Sequence, residues 1–376
     1  MSKKVVSGSL DFLEHFSDLD DPRQSAKILY PLDEVLLLTL CAVLSGAEGW
    51  VGVALFGERK LAYLRGFLPF SHGVPSHDQL GLIFAALDPG KFQLCFVGWA
   101  ESLSKALSGV VAIDGKTLRR SFDKASGAKP VHMISAWSSA QRLVLGQRVV
   151  AKKSNEITAI PELLDLLSLK GAIVTIDAMG CQREIARHIM DAGADYVLAL
   201  KGNQGTLRKD VELLFTEQAG KDFCDLEVTH HQTIDADHGR VEIRNIVATS
   251  DIEWLSRHHA WKGLRTLVAV TSERRLAEKT TRETRYFISS LPPDAEHLAG
   301  VVRSHWSIEN GLHWVLDMVF RDDECRVRKK NAPGNFSTVK HMAMNMLRRM
   351  PAKHSLKSKR QIAAWDDSFL TQIITA

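Results

Sequence analysis

Short apolar runs rich in β-branched residues alternate with amphipathic segments between residues 109 and 200, and this pattern constrains the fold more than any other feature of the 376-residue chain. It predicts two helices, at 156–167 and 181–192, and five strands, at 110–113, 131–136, 143–150, 172–176 and 196–200. Strands that are apolar on both faces need helices over both faces of their sheet. We therefore expect an α/β domain with a sheet flanked by helices.

The segments on either side of this domain have different patterns. Residues 1–108 carry apolar residues at spacings of three and four, which predicts a helical N-terminal domain. Residues 215–285 are more polar and alternate between apolar and charged residues, which predicts a β-rich segment. Further helices are expected from about 295 to 320 and from about 338 to 350.

The composition narrows the class of protein. Hydrophobic residues make up 45% and charged residues 24%, a balance that excludes a largely disordered chain. The five cysteines include no CxxC pair, which favours a reducing compartment and argues against a disulfide framework or a structural zinc site. The longest apolar run, 35–44, is shorter than the roughly 20 residues of a membrane span. Residues 1–16 lack the apolar core of a signal peptide. We expect a soluble, cytoplasmic protein without a membrane partner.

Positive charge is concentrated near the end of the sequence. Residues 325–365 contain eleven Lys or Arg and no Asp or Glu, although the formal net charge of the whole chain is only +4. Such a local excess is typical of a surface that binds nucleic acid. A solvated basic tail is the alternative interpretation.

Three carboxylates are candidates for catalysis. Two predicted strands each end in an aspartate, Asp114 and Asp177, and ligands gather at the carboxyl ends of strands in such sheets. An aspartate after a strand is also a common turn or helix-capping residue. Glu309 falls on the apolar stripe of the 295–320 helix and is expected to face the interior, where an unpaired carboxylate is costly.

The chemistry of these groups favours a hard cation. Three carboxylates suit Mg²⁺ or Mn²⁺, and two such ions can activate a water and stabilise the leaving oxygen of a phosphodiester. A zinc site of His305, Glu309 and His313 is the alternative, and it leaves the two aspartates unexplained. A Glu–His ion pair within a helix packing face is the structural alternative.

Five phrases, in order along the chain, resemble the H-repeat-associated transposases of bacterial insertion sequences, members of the DDE superfamily with an RNase H-like catalytic core. The phrases are VAIDGKTLRRS (111–121), TIDAMG (175–180), LALKGNQ (198–204), HGRVEIR (238–244) and SHWSIENGLHWVLD (304–317). Two shorter phrases, at 21–23 and 74–78, are also similar. The resemblance therefore spans nearly the whole chain.

The resemblance implies a DNA transposase that cuts insertion-sequence ends and transfers the 3′-hydroxyl to target DNA by two-metal-ion phosphoryl transfer. Asp114, Asp177 and Glu309 would be both the catalytic residues and the ligands of two Mg²⁺ or Mn²⁺ ions. The implied partners are the inverted-repeat ends and target DNA, with a homodimer in the synaptic complex. The implied location is the bacterial cytoplasm, and the nucleoid when DNA is bound.

The resemblance also implies how the chain is divided. An RNase H-like mixed sheet at 109–214 and 286–330 would be interrupted, before the catalytic glutamate, by a β-rich insertion at 215–285. The helical domain 1–108 would precede this core, and a basic C-terminal helical tail, 331–376, would follow it. Related enzymes often carry Arg four residues before the glutamate and Lys seven residues after it, where this chain has His305 and Leu316.

Basic side chains in and near these phrases are predicted to contact DNA phosphates. They are Lys116, Arg119, Arg120, Lys201, Arg240, Arg244, His305, Arg326, Arg328, Lys329 and Lys330. Local ion pairing or a surface turn is the alternative for several of them. Trp306 is a candidate for stacking on bases, whereas Trp314 is expected in the core.

Two other functions remain open at this point. One is a metal-dependent DNA nuclease that cuts without strand transfer, and the other is a DNA-binding relative whose chemistry has lapsed.

Overall fold

The computed structural model describes residues 10–104, 109–124, 126–151, 155–237, 239–256, 258–276 and 279–376. His238, which belongs to one of the phrases above, lies outside the described residues. Within them, no single helix has the length and apolar composition to cross a membrane, although one pair of helices bent by 90°, His77–Ala86 with Pro89–Leu103, meets both criteria jointly.

The N-terminal region is helical, as predicted. Its helices are α1 (Asp11–His15), α2 (Leu32–Leu44), α3 (Trp50–Leu64), α4 (His77–Ala86) and α5 (Pro89–Leu103). Local sequence explains where two of them begin. Ser76 and Gln79 form a reciprocal capping box at the start of α4. Asp88 caps α5, and Pro89 stands in its first turn, where a missing N–H costs nothing.

The next part of the chain alternates strands and helices, also as predicted. Its elements are β1 (Gly109–Leu118), β2 (Val131–Ser138), β3 (Leu143–Val149), α6 (Glu156–Leu164), β4 (Ala172–Ile176), α7 (Arg183–Asp191), β5 (Asp195–Leu200) and α8 (Gly205–Ala219). β1, β2 and β3 pair antiparallel, whereas β4 and β5 run parallel to β1. This is the mixed sheet of an RNase H-like core, and the predicted fold class is confirmed.

The β-rich segment extends this sheet instead of forming a second one. It contains β6 (Thr229–Asp237), β7 (Arg240–Thr249), α9 (Glu253–Ser256), β8 (Thr266–Leu276) and β9 (Lys279–Ser289). β9 pairs antiparallel with β5, from Val197 opposite Ser289 to Leu200 opposite Tyr286. The strand order is therefore β3-β2-β1-β4-β5-β9-β8-β7-β6 in one nine-stranded sheet. The expected insertion boundaries, at 214 and 285, fall inside α8 and β9.

The long helix expected from 295 to 320 is not continuous. The chain forms α10 (Ala295–His305), a π-helical turn (Glu309–His313) and α11 (Trp314–Met318). The guanidinium of Arg348 donates a hydrogen bond to the carbonyl of Gly311 within the π-helical turn. The predicted helix is therefore present from Ala295 to Met318, but with a turn at Trp306 and a π-helical turn that the sequence pattern did not indicate.

The segment expected to form a basic tail is instead an integral part of the fold. Its helices are α12 (Ala332–Arg349), α13 (Leu356–Trp365) and α14 (Asp367–Ile374). α12 is buried along nearly its whole length and packs against α2, α4, α5 and β3. The side chain of Asn345 both donates to and accepts from the Val144 backbone, at 2.9 Å each, and so binds the outer edge of β3.

Several of the basic charges in this segment are also internal. Lys340 is 1% exposed, and its Nζ lies 2.6 Å from an equally buried oxygen of Asp322. Arg360 donates to the carbonyl of Val43 at 2.8 Å. The prediction of a tail was wrong because charge counting along the sequence does not distinguish solvated Lys and Arg from those paired inside a core. One hydrophobic core runs from Phe12 to Ile374 and joins the helical region to the sheet.

Candidate active site

Asp114 and Asp177 lie on neighbouring strands at the same edge of the sheet. The parallel pairing of β1 with β4 ends with Ile113 opposite Ile176. Asp114 directly follows the first of these residues, and Asp177 directly follows the second. β1 itself does not end there, contrary to the sequence prediction, because its antiparallel pairing with β2 continues to Leu118. The shared edge is therefore formed by the end of one strand and the middle of another.

Backbone hydrogen bonds hold both carboxylates in place. The N–H of Gly115 donates to Asp114 Oδ1 at 2.8 Å. The N–H of Met179 donates to Asp177 Oδ1 at 3.0 Å, where Asp177 caps a short 3₁₀ turn, Ala178–Gly180. Each side chain thus has one oxygen fixed by the main chain, and the second oxygen remains available to a ligand.

The π-helical turn brings Glu309 and His313 to Asp114. His313 Nδ1 lies 3.5 Å from Asp114 Oδ2 and 3.6 Å from Glu309 Oε2. One ligand atom from each of the three residues lies within 4.8 Å of the other two. Glu309 was expected to face the interior, but its side chain is 52% exposed.

The two carboxylates of this cluster have different proton affinities. Burial raises the pKa of Asp114 to about 6, and the negative charges of Glu309 and Asp177 add to this effect, while His313 opposes it. The His313 imidazole holds the pKa of Glu309 below its usual range. A cation bound among these residues would relieve the repulsion between the carboxylates.

Contacts from distant parts of the chain position the π-helical turn. Trp137 Nε1 donates to Ser307 Oγ at 3.0 Å, and the Trp137 ring packs against Gly311. The guanidinium of Arg348 lies 4.7 Å from the centre of the same ring. The roles of Trp137 and Arg348 are not recognisable from the sequence, since both depend on contacts between residues far apart along the chain.

Lys116 and His305, both predicted to contact DNA, are held by protein groups. Lys116 Nζ lies 2.7 Å from both carboxylate oxygens of Asp317 and 3.4 Å from Asp323, and its side chain is only 12% exposed. His305 is half-buried, and its Nδ1 is hydrogen-bonded to Thr175 Oγ1 at 3.0 Å. Burial lowers the pKa of His305, while the charges of Asp177 and Glu309 oppose this effect.

Other predicted DNA contacts lie on the surface. Lys201 is exposed just beyond β5, and Arg119 is exposed with its Nε 3.3 Å from Asp323. Arg120 is exposed, and its backbone carbonyl accepts from Arg328 Nε at 3.1 Å. Their side chains are accessible to solvent, so contact with DNA stays a prediction for all three.

The basic residues before α12 border a surface groove. Arg326, Lys329 and Lys330 are exposed, while Arg328 is half-buried with its guanidinium over the Phe122 ring. Three of them, Arg326, Arg328 and Lys329, line an open groove of about 880 Å³ against the beginnings of α3 and α4.

The remaining two predicted contacts are ion-paired on the extended sheet. Arg244 lies 3.1 Å from Asp235 and 2.7 Å from Glu242, and Arg240 lies 3.8 Å from Glu242. The local pairing left open by the sequence is therefore observed. Arg244 also lines a groove of about 850 Å³ between α10 and β6–β9, which extends to Trp306 and Asn310.

Two tryptophans of the 304–317 phrase are surface residues. Trp306 is 46% exposed, and Arg285 lies over its ring at 5.0 Å from the ring centre. Trp314 was expected in the core, as large aromatic residues on helices usually are, but it is 57% exposed.

Comparisons with known proteins cover nearly the whole chain. The family described as Transposase DDE domain matches residues 105–346, and the family described as DDE_Tnp_1-associated matches residues 13–100. The H repeat-associated putative transposase YhhI of Escherichia coli strain K12 is 42% identical over 369 residues, which cover 96% of this chain and 97% of that protein. The Putative transposase YncI of Escherichia coli O157:H7 is 39% identical over 370 residues, covering 97% and 94%.

A solved structure, a piggyBac transposase synaptic complex with hairpin DNA, aligns with 97% of this chain and 77% of that chain. The alignment has a TM-score of 0.44 and 11% sequence identity.

Proposed function

Because the chain belongs to the Transposase DDE domain family, we propose that it cuts the ends of its insertion sequence and joins the freed 3′-hydroxyl to target DNA. The observation that carries this proposal is the approach of Glu309, on a late helix, to Asp114 beside Asp177 at one edge of the sheet. Three carboxylates of this kind can hold two divalent ions for phosphoryl transfer.

The residues at this edge fit Mg²⁺ or Mn²⁺. Asp114 and Glu309 direct oxygens toward a common point, and neither oxygen is within hydrogen-bonding distance of His313. Bound there, the ions would supply a nucleophile activated at neutral pH and charge stabilisation for the leaving oxygen. The protein's own contribution is to immobilise Asp114 and Asp177 through backbone N–H groups and to present Glu309 from the opposite, helical side.

DNA binding on this proposal combines phosphate contacts from two regions. Arg119 and Arg120 follow β1, the strand that carries Asp114, and Lys201 follows β5; all three are exposed and would hold the scissile strand. The groove bordered by Arg326 and Lys329 would take the flanking duplex, with no requirement for a particular sequence. We place the reaction in the cytoplasm, in a synaptic complex that contains two copies of the chain.

A joining assay tests the function directly. Purified protein is incubated with duplexes that carry the two ends of the DNA element surrounding the gene, a target plasmid and Mg²⁺. We expect nicking at the ends and covalent joining of end DNA to the plasmid. Asp177→Asn should bind the ends without nicking them, whereas Asp191→Asn, at an exposed position paired with Lys262, is a matched control that should keep both activities.

The outcomes separate the three functions that the sequence left open. Joined products support a transposase. Nicking without joining, even when pre-cut ends are supplied, would show a nuclease. Binding to the ends without any nicking would show a DNA-binding protein whose chemistry has lapsed.

A further inference from the structure

We propose that His313 is itself a metal ligand, so that one of the two ions occupies a mixed site of Asp114, Glu309 and the His313 Nδ1 atom. This inference rests on the proposed function and deepens it, because it specifies the ion that the site prefers. A site with an imidazole ligand should select Mn²⁺ or another transition-metal ion over Mg²⁺.

The distances between the three residues favour a shared ion over direct hydrogen bonds. His313 Nδ1 lies 3.5 Å from Asp114 Oδ2 and 3.6 Å from Glu309 Oε2. Hydrogen bonds between nitrogen and oxygen are about 2.7 to 3.2 Å long, so both separations are too wide. Adjacent ligand atoms that are each about 2.1 Å from one ion lie about 3.0 to 3.4 Å apart, which is close to the observed spacing.

The surroundings of His313 point to the same conclusion. Its side chain is only 10% exposed, and within the described part of the chain its Nε2 atom has no hydrogen-bond partner. The ring is therefore oriented by packing, and its Nδ1 atom faces two carboxylate oxygens. With Nδ1 unprotonated, its lone pair and the two carboxylate oxygens lie within 4.8 Å of one another, an arrangement that a cation among them would stabilise.

The two neighbouring histidines are not equivalent in this structure. His305 is hydrogen-bonded to Thr175 on β4 at 3.0 Å through its Nδ1 atom. The Nδ1 atom of His313 instead faces Asp114 and Glu309, and the residue lies one turn after Glu309 in the π-helical turn. The packing of Gly311 against Trp137 fixes that turn, so Glu309 and His313 approach Asp114 as a unit. The assignment therefore falls on His313 and not on His305.

With a mixed site, the two ion positions would differ in the metal ion that each prefers. Asp177 and Asp114 offer oxygen atoms alone at their shared strand edge, which suits Mg²⁺ as well as Mn²⁺. The position near Glu309 adds a nitrogen ligand, which Mg²⁺ accepts poorly. Occupancy by Mg²⁺ alone would then leave this second position weakly filled.

Pulsed electron paramagnetic resonance of bound Mn²⁺ tests the assignment without relying on activity. Electron spin echo envelope modulation reports a ¹⁴N nucleus directly coordinated to Mn²⁺. We expect this modulation in the full-length wild-type protein and its replacement by a ¹⁵N signal after labelling with ¹⁵N-histidine. His313→Asn should abolish the nitrogen signal and weaken Mn²⁺ binding by at least about tenfold, the smallest effect usual for changes around a metal site.

His305→Asn is the matched control, since it removes the other nearby imidazole and should leave the nitrogen signal in place. Loss of the signal in His305→Asn with retention in His313→Asn would overturn the assignment. So would wild-type protein that binds Mn²⁺ without any nitrogen modulation. If His313→Asn fails to fold, the ¹⁵N-histidine exchange in wild type together with the His305→Asn variant still decides the question.

The same preparation is assayed for nicking of the ends in Mg²⁺ and in Mn²⁺, which separates this inference from the proposed function. Nicking without nitrogen modulation would refute the ligand assignment alone. Nitrogen modulation without nicking in either ion would support the assignment and refute the function.

Discussion

The ring of Trp137 lies so close to Gly311 that a β-carbon added at position 311 would be 2.7 Å from the nearest ring atom. Real β-carbons do not approach a ring atom this closely, so an alanine there would force either the indole or the π-helical turn to move. Trp137 lies on β2, next to the strand that carries Asp114, while Gly311 follows Glu309 by two residues. This packing therefore sets how near the helix brings its glutamate to the sheet.

Gly311→Ala should impair nicking more than folding. Overpacking of this kind typically costs about 1 to 3 kcal/mol, which a chain with one large core should survive. The displaced turn would move Glu309 away from Asp114, so nicking should fall at least about tenfold for a shift of a few tenths of an ångström or more. Gly300→Ala in α10 is the control, because a β-carbon there meets no atom within 4 Å. Equal nicking by both variants would show that the packing of Gly311 on Trp137 does not position Glu309.

Asp114→Asn should separate chemistry from binding. The substitution is nearly isosteric and removes one negative charge from a site that must hold dications. Nicking should fall by at least about two orders of magnitude, as it typically does when a group that stabilises the transition state is removed. Binding of end DNA in a gel-shift assay should be unchanged or slightly tighter, since phosphate contacts come from Lys and Arg. Full nicking by the variant would remove Asp114 from the site.

Neutralising the groove before α12 should reduce the salt dependence of DNA binding. Removal of one basic side chain that binds a phosphate lowers the slope of log affinity against log salt by about 0.9, so Arg326→Gln with Lys329→Gln should lower it by about 1.8. Lys221→Gln, at an exposed position paired with Asp225 just after α8, removes the same kind of charge elsewhere. Fluorescence anisotropy between low and physiological salt gives the slopes. Identical slopes for all three proteins would show that the groove does not bind DNA.

The buried pair of Lys340 and Asp322 should dominate the stability of the C-terminal helices. Lys340→Met leaves the Asp322 carboxylate buried without its cation, which should cost about 3 to 5 kcal/mol in urea unfolding. The double variant with Asp322→Asn should recover much of this stability. Lys91→Met, which breaks an exposed pair with Asp20, should change stability little. A similar destabilisation in Lys91→Met would argue against a special role for the buried pair.

His341 should make stability depend on pH. Burial lowers its pKa to about 3, whereas an unfolded histidine titrates near about 6.5. Between these values the unfolded chain binds one more proton, so stability decreases as the pH falls below about 6.5. From about pH 5.5 to about pH 4, wild type should lose up to about 1.4 kcal/mol per pH unit more than His341→Leu in urea unfolding. Parallel pH profiles for the two proteins would contradict this expectation.

The strands of the core and their order along the chain could be predicted from the sequence because continuous apolar runs identify buried strands locally. The two aspartates were recognisable for the same reason, since each follows such a run. Sequence reasoning misjudged the length of β1, however, because its continuation past Asp114 depends on pairing with β2. That pairing is a property of the assembled sheet and not of the 109–118 segment.

The parts that could not be predicted depend on contacts between distant residues. Trp314 was expected inside because large aromatic side chains on helices are more often in the core, but it is 57% exposed, just after a π-helical turn whose Gly311 carbonyl accepts a hydrogen bond from Arg348. The basic charges after residue 325 were expected in solvent, yet Lys340 is neutralised by Asp322 within the core. Neither partner is identifiable from the pattern of its own segment.

The burial of α12 among α2, α4 and α5 has a consequence for co-translational folding. The N-terminal helices emerge first, but the helix that covers their apolar faces is translated after every strand of the sheet and after Glu309. A nascent chain that stops short of α12 therefore has all its candidate ligands and no completed scaffold to hold them. On the function proposed above, a chain truncated before α12 is therefore expected to lack DNA-cutting activity.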